Sequence, residues 1–322
     1  MLFRSGFRGS NLIRSLNQKG YRPYALLRKT SRLDLLKNAD FIPVYGDVTS
    51  DDIISQLPGS VNTIIHCAGS IKATNQNNYF TGNTQGTLNI INEAKRLLPD
   101  LKRIILLSSQ AAAGPCQPGQ SKRETDGCDP VSNYGISKAK MEEAILENFA
   151  DMPLVIVRPP SVYGPGDRES LSFFKMIKSG FVPSVNHNRS VLSFVYIDDL
   201  IEGIFRLAAA ADLPEKLYYI TSQDEVAISD LYRTIAKHMG KKYMILNVPK
   251  PLVSAVATIS LIIGRLSGKP SILSPDKVKE MRELRWVVSS ERFRKLFPDM
   301  AFTSLETGTE RSLAWYREKG WL

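Results

Sequence analysis

Ser132-Asn133-Tyr134-Gly135-Ile136-Ser137-Lys138-Ala139-Lys140 is the stretch on which the reading of this chain turns. It reads as helix, so Tyr134 and Lys138, four residues apart, leave the same face one turn from each other. A phenol ordinarily keeps its proton to pH ~10, too high for proton exchange near neutrality, and a fixed ammonium one turn away favours the phenolate. Of the 12 tyrosines, only Tyr134 has a lysine four residues later. A solvated helix face would carry the same pair, so the surrounding sequence decides what the stretch means.

Towards the amino terminus, strand and helix alternate from the start to about residue 150. Tyr21 to Leu27, Phe41 to Val44, Val61 to Ile65 and Arg103 to Leu107 read as strands, and a long helix runs from Asn83 to Leu98. This rhythm implies α/β: a Rossmann-type doubly wound parallel sheet with helices on both faces. The residues at the strand ends suit a flat, phosphorylated ligand. Ser5-Gly6-Phe7-Arg8-Gly9-Ser10 resembles the tail of a glycine-rich dinucleotide loop, with Asn11 to Lys19 as the helix that follows. A complete loop would carry a glycine where Phe3 stands and would follow a strand of ~5 apolar residues. There is no room for one, so the first strand is expected to be truncated or lost.

About 20 positions past such a loop, an acidic residue reads the ribose of NAD and an arginine suits the extra phosphate of NADP. Arg28 stands in that window with Arg32 behind it, which tilts the expectation towards NADP; a solvated loop is the alternative. Asp47, before Val48, is placed to bond an adenine amino group or to cap a helix from Ser50 onward. Small residues in His66-Cys67-Ala68-Gly69 allow close approach of a cofactor. Ser108 and Ser109, at the end of the Arg103 strand, are placed to donate to a substrate carbonyl or to cap a turn.

Beyond Tyr134, Leu154 to Val157 is a further strand, and Arg158-Pro159-Pro160-Ser161-Val162-Tyr163-Gly164-Pro165-Gly166-Asp167 is a rigid loop. The pattern then changes to shorter elements, implying a smaller α/β substrate domain that is mostly C-terminal. The 322 residues suffice for one large or two ordinary domains. The net charge of +10 comes from scattered lysines and arginines without interleaved aromatics, which argues against nucleic acid and leaves a weak membrane-surface association open. Three cysteines without metal-ligand spacing, Cys67, Cys116 and Cys128, fit a reducing, cytoplasmic setting. His66, His187 and His238 lie far apart, so no metal is expected. The longest apolar run, Leu252 to Ile263, is short of the ~20 residues of a membrane span and reads as a buried or interface-lying helix.

Together these landmarks resemble the extended short-chain dehydrogenase/reductase superfamily, of the NAD-dependent epimerase/dehydratase type. The resemblance rests on Gly6-Phe7-Arg8-Gly9, Asp47-Val48, the His66 turn, Asn83 with Gly86-Thr87, Ser108-Ser109, Tyr134 with Lys138, Arg158 to Asp167, and Tyr196-Ile197-Asp198-Asp199. It implies a nucleotide-binding domain over residues 1–165, with a returning strand and helix near 191–210, and a mainly substrate-binding subdomain over 166–322. It implies that Tyr134 exchanges a proton with the substrate oxygen, that Lys138 lowers the phenol's pKa and binds the nicotinamide ribose, and that Ser109 bonds the same substrate oxygen. NADP or NAD would lie against these residues and the strand-end residues above, with Asn83, Pro159 and Val162. A homodimer through the Tyr134 helix and the helix after Asn83 is a further implication.

Three departures qualify the likeness. The first strand and first loop glycine are missing, and Arg8 replaces an aliphatic residue. Leu192 stands where nucleotide-sugar epimerases carry a diphosphate-clamping arginine. Leu252 to Ile263 is more apolar than a sugar-nucleotide pocket needs and is similar to the region of hydroxysteroid-dehydrogenase-like and dihydroflavonol-reductase-like relatives that covers an apolar substrate. The function expected is hydride transfer to or from a secondary alcohol or ketone on a sizeable apolar small molecule. The alternatives are an epimerase or dehydratase of nucleotide-diphosphate sugars with retained NAD, and a non-catalytic nucleotide-binding member.

Overall fold

The structure, a computed structural model, describes residues 2–3, 6–50, 52–67, 69, 79–186, 188–267 and 274–322. The strands in chain order are β1 (Leu2–Phe3), β2 (Tyr24–Leu27), β3 (Ile42–Tyr45), β4 (Thr63–His66), β5 (Arg103–Leu107), β6 (Leu154–Arg158), β7 (Ser161–Tyr163), β8 (Phe181–Ser184), β9 (Val191–Tyr196), β10 (Leu217–Tyr219), β11 (Gln223–Ala227), β12 (Met244–Asn247) and β13 (Arg285–Trp286). A seven-stranded sheet runs in the order β10-β6-β5-β4-β1-β2-β3, with every pairing parallel.

The first strand, expected to be truncated or lost, is present in short form. Leu2 and Phe3 pair with Ala25 and Leu26 on one side, and Leu2 pairs with Ile65 on the other. Two residues suffice because the neighbours on both flanks supply the ladder. The strand order reverses between β1 and β4, which opens a crevice at their carboxyl ends. A second expectation is corrected at the far edge. The strand that returns to the large sheet is β10, whereas β9 joins a separate sheet with β7, β11 and β13. The helix after β9, Ile197–Ala209, does return, packing beside helix Phe7–Gln18.

The period-two alternation of the strands divides the core in two. Ile105, Leu107, Val155 and Val157 point into one cluster with Leu12 and Ile13, and Ile104, Leu106, Leu154 and Ile156 point into the other with Ile90, Ile91, Met141 and Ile145. All eight strand residues are buried, as strands covered by helices on both faces must be. The helix expected from Ser50 is instead a single 3-10 turn, Ile54–Gln56. The helix expected to open at Asn83 is preceded by a π-helical turn, Phe80–Gln85, before Gly86–Leu97. Gly86 leaves room for Val48, whose side chain comes within 2.5 Å of where a β-carbon would stand.

Candidate active site

The helix carrying Tyr134, Asn133–Asn148, starts at Ser132, whose Oγ accepts from the Gly135 N–H at 3.1 Å. Gly135 is required by close approach, because a β-carbon there would lie 2.3 Å from the Ala111 carbonyl oxygen. That contact seats the helix against Gln110–Ala113, the short turn capped by Ser109. It brings Tyr134 up to the end of β5, where the Ser109 hydroxyl lies near enough to the Tyr134 phenol to favour its ionised form.

Burial pushes the Tyr134 phenol above its ordinary value; the Arg8 guanidinium and the Ser109 hydroxyl pull the other way, and Glu280 adds to the rise. The cation that acts most strongly on Tyr134 is thus Arg8, from the first turn of helix Phe7–Gln18. The ammonium of Lys138, the cation expected to lower the phenol, is buried beneath the site, and its Nζ donates to the Leu107 carbonyl at 2.9 Å. It lies 3.2 Å from the place a β-carbon on Gly69 would take, and so does the Asn83 amide oxygen. Asn83 is buried by the π-helical turn and donates to Ser137 Oγ at 3.0 Å. Burial raises the Cys67 thiol to about 12, against the influence of Arg8 and Lys138.

Arg8, Cys67, Gly69, Asn83, Ser109, Tyr134 and Lys138 thus meet at the crevice between β1 and β4. Ala68 lies outside the described residues. Ser108 is fully buried just below, and Pro159 is buried with its carbonyl accepting from the Gln110 N–H at 3.0 Å. Val162, on β7, is half-buried against the larger core. The helix above the crevice begins at Gly6, in extended conformation (φ −74°, ψ 178°), with no side-chain cap on its first turn. An uncapped helix start beside a glycine fits an anionic pyrophosphate. Asn11 anchors this turn to the loop after β7 by donating to the Pro165 carbonyl at 3.2 Å.

The outer end of the crevice is separate. Arg28, after β2, lies 3.8 Å from Asp47, after β3, and both are largely exposed. Asp47 accepts from the Thr49 backbone N–H and hydroxyl rather than from a helix at Ser50. Arg32 pairs with Asp34.

Sequence reasoning missed the helix Pro275–Arg282, which closes over the start of the Tyr134 helix. Asp276 accepts from the Asn133 N–H at 2.9 Å, and Glu280 accepts from Ser132 Oγ at 2.6 Å. Both carboxylates complement a helix N-terminus. Only a separation of more than 140 residues hides this contact from the sequence. Arg158, read as part of the loop after β6, instead makes a buried ion pair with Glu142 on the Tyr134 helix, at 3.0 and 3.1 Å from Nε. Burial works against its charge, but Glu142 holds the guanidinium above its ordinary value.

A family model for the NAD dependent epimerase/dehydratase family matches residues 4–220. The chain is 28% identical over 318 residues to a ceramide reductase of Caulobacter vibrioides, covering 99% of this chain and 94% of that protein. It is 25% identical over 307 residues to the decarboxylating sterol-4-alpha-carboxylate 3-dehydrogenase of Saccharomyces cerevisiae, covering 87% and 85%. Among solved structures it is similar to a dTDP-glucose 4,6-dehydratase from Streptomyces venezuelae with NAD bound. The TM-score is 0.78 at 20% identity, covering 100% of this chain and 98% of that one.

Proposed function

The chain belongs to the NAD dependent epimerase/dehydratase family, and from that premise we propose that it is an NAD(P)-dependent oxidoreductase acting on a secondary alcohol or ketone of an apolar, lipid-like molecule. The observation that carries this reading is the placing of Tyr134 beside Ser109 at the carboxyl end of β5, with Lys138 buried behind it and bonded to the Leu107 carbonyl. When bound, the nicotinamide supplies or takes up the hydride. Tyr134 gives a proton to the substrate oxygen in reduction and removes it in oxidation, while Ser109 holds that oxygen in line. Lys138, fixed by the Leu107 carbonyl, orients the ribose and contributes positive charge beneath the site.

The apolar substrate is supported by the names of the two relatives above and by the apolar helix Lys250–Leu266, which packs on the helix that covers Tyr134. NADP is favoured slightly over NAD by Arg28, whose ion pair with Asp47 is long and exposed and so yields readily to a phosphate. The likeness in fold to the dTDP-glucose dehydratase favours a second reading, a nucleotide-sugar enzyme with retained NAD. Against it, Leu192 occupies the clamp position and packs on the core.

A fluorescence titration with NADPH and NADH side by side, followed by turnover of Tyr134→Phe, tests the first reading. We expect tighter NADPH binding and, in Tyr134→Phe, unchanged cofactor affinity with turnover lower by about 10²–10⁴. Near-normal turnover in that variant would remove Tyr134 from the mechanism. Protein purified with NAD already bound would favour the nucleotide-sugar reading.

A further inference from the structure

The helix Lys250–Leu266 wears its apolar residues on two sides. Val253 and Ala257 pack inward on Val278. Opposite them, Leu252, Val256, Ile259 and Ile263 are 54%, 47%, 58% and 60% exposed. Their spacing of four, three and four puts them on one helical face. The strand that feeds this helix, β12, likewise exposes Met244 and Leu246. So much outward-facing aliphatic surface on neighbouring elements marks an interaction site. The charge exposed around it is mainly positive, because Asp276 and Glu280 of the adjoining helix Pro275–Arg282 turn inward on the start of the Tyr134 helix, their side chains 16% and 14% exposed. Residues 170–197 and 231–275, which build these elements and their flanks, contain no aspartate or glutamate, and Lys241, Lys242 and Lys250 are exposed beside the apolar residues.

We propose that this face docks on an anionic lipid bilayer, with the helix lying in the interface plane. An apolar face sunk to the headgroup boundary and lysines at its edge are the two contributions such binding needs. No helix among the described residues is long and apolar enough to cross a membrane, which fits a surface mode. A second copy of the chain suits the face less well, because pairing it with itself would bring the exposed Lys241, Lys242 and Lys250 of one copy towards those of the other, while the neighbouring Asp276 and Glu280 are turned inward. The inference stands on this surface alone, and a polar substrate for the enzyme would leave it intact.

Co-sedimentation of the full chain with phosphatidylcholine vesicles, with and without phosphatidylglycerol, tests it. We expect binding to the anionic vesicles that weakens as salt is raised. Lys241→Gln and Lys242→Gln should each lower the partition coefficient about five-fold. Ile259→Asp with Ile263→Asp should abolish binding while the circular dichroism spectrum and melting point stay those of the parent, both side chains being exposed. Should that double variant fold poorly, Ile263→Trp gives an independent readout, its emission moving to the blue on adding anionic vesicles. Absence of binding to anionic vesicles, binding indifferent to the aspartates, or an unshifted tryptophan would overturn the proposal. So would aspartates that split a dimer in sedimentation velocity without any vesicle binding in the parent.

Discussion

Tyr134 meets opposing influences from residues far apart in the chain. Burial raises its phenol, and Arg8 and Ser109 draw it down. Arg8 occupies a place where an aliphatic residue was expected, and its guanidinium acts on the Tyr134 phenol. Removing it should therefore act on the titration of Tyr134. In Arg8→Ala the phenol loses its strongest opposing cation, so ionisation moves to higher pH and the phenolate fraction at any given pH falls. The difference in phenolate absorbance between Arg8→Ala and its Tyr134→Phe derivative, followed against pH, should show the Tyr134 step later than in the parent pair. A step at the parent's pH would mean that Arg8 does not govern the phenol.

At the scale of elements, the Tyr134 helix is held at its start and midway along by groups that serve its position. At its start, Ser132 caps the first turn, and Asp276 and Glu280 add carboxylates from Pro275–Arg282. Further along, Glu142 binds Arg158 at the end of β6, with both side chains almost fully buried. Breaking a buried pair strands a charge, at a cost of about 3–5 kcal/mol. Glu142→Gln should lose stability of that order in urea unfolding, whereas Glu142→Leu with Arg158→Met should recover most of it. If the single and double variants are equally unstable, packing rather than charge explains the loss. The same helix depends on Gly135, whose missing side chain lets the Ala111 carbonyl sit against it.

Across the whole molecule, the candidate site draws on β1, β4, β5, the loop after β7 and a helix near the carboxyl end. The buried Asp199, on the helix Ile197–Ala209 that packs beside Phe7–Gln18, ties later elements to that helix, accepting hydrogen bonds from Ser222 Oγ and from both the backbone N–H and the hydroxyl of Thr303. A ligand that binds only this assembled crevice must stabilise the folded chain as a unit. NADPH at about a hundred times its dissociation constant should add ~2.7 kcal/mol to the unfolding free energy measured in urea. A midpoint that saturating NADPH leaves unmoved would show that the folded chain does not bind it.

The sequence by itself determined the sheet and the helical step that sets Tyr134 one turn from Lys138, because both are written in local patterns. Alternating strands and helices, apolar runs such as Arg103–Leu107, and the four-residue step from Tyr134 to Lys138 depend on periodicity within short windows. Those windows could not say what lies beside them in space. The two-residue β1 is too short to carry a signal and exists because β2 and β4 flank it. The assignment of the returning strand to β10 rather than β9, the reach of Arg8 to Tyr134, the cover given by Pro275–Arg282 and the use of Arg158 as a buried anchor are contacts between distant segments. Only tertiary packing decides these, since each depends on which surfaces are brought together and which charges are desolvated there. The apolar face of Lys250–Leu266 belongs to the same class: the sequence shows a hydrophobic helix, and the packing of its neighbours decides which side is left outside.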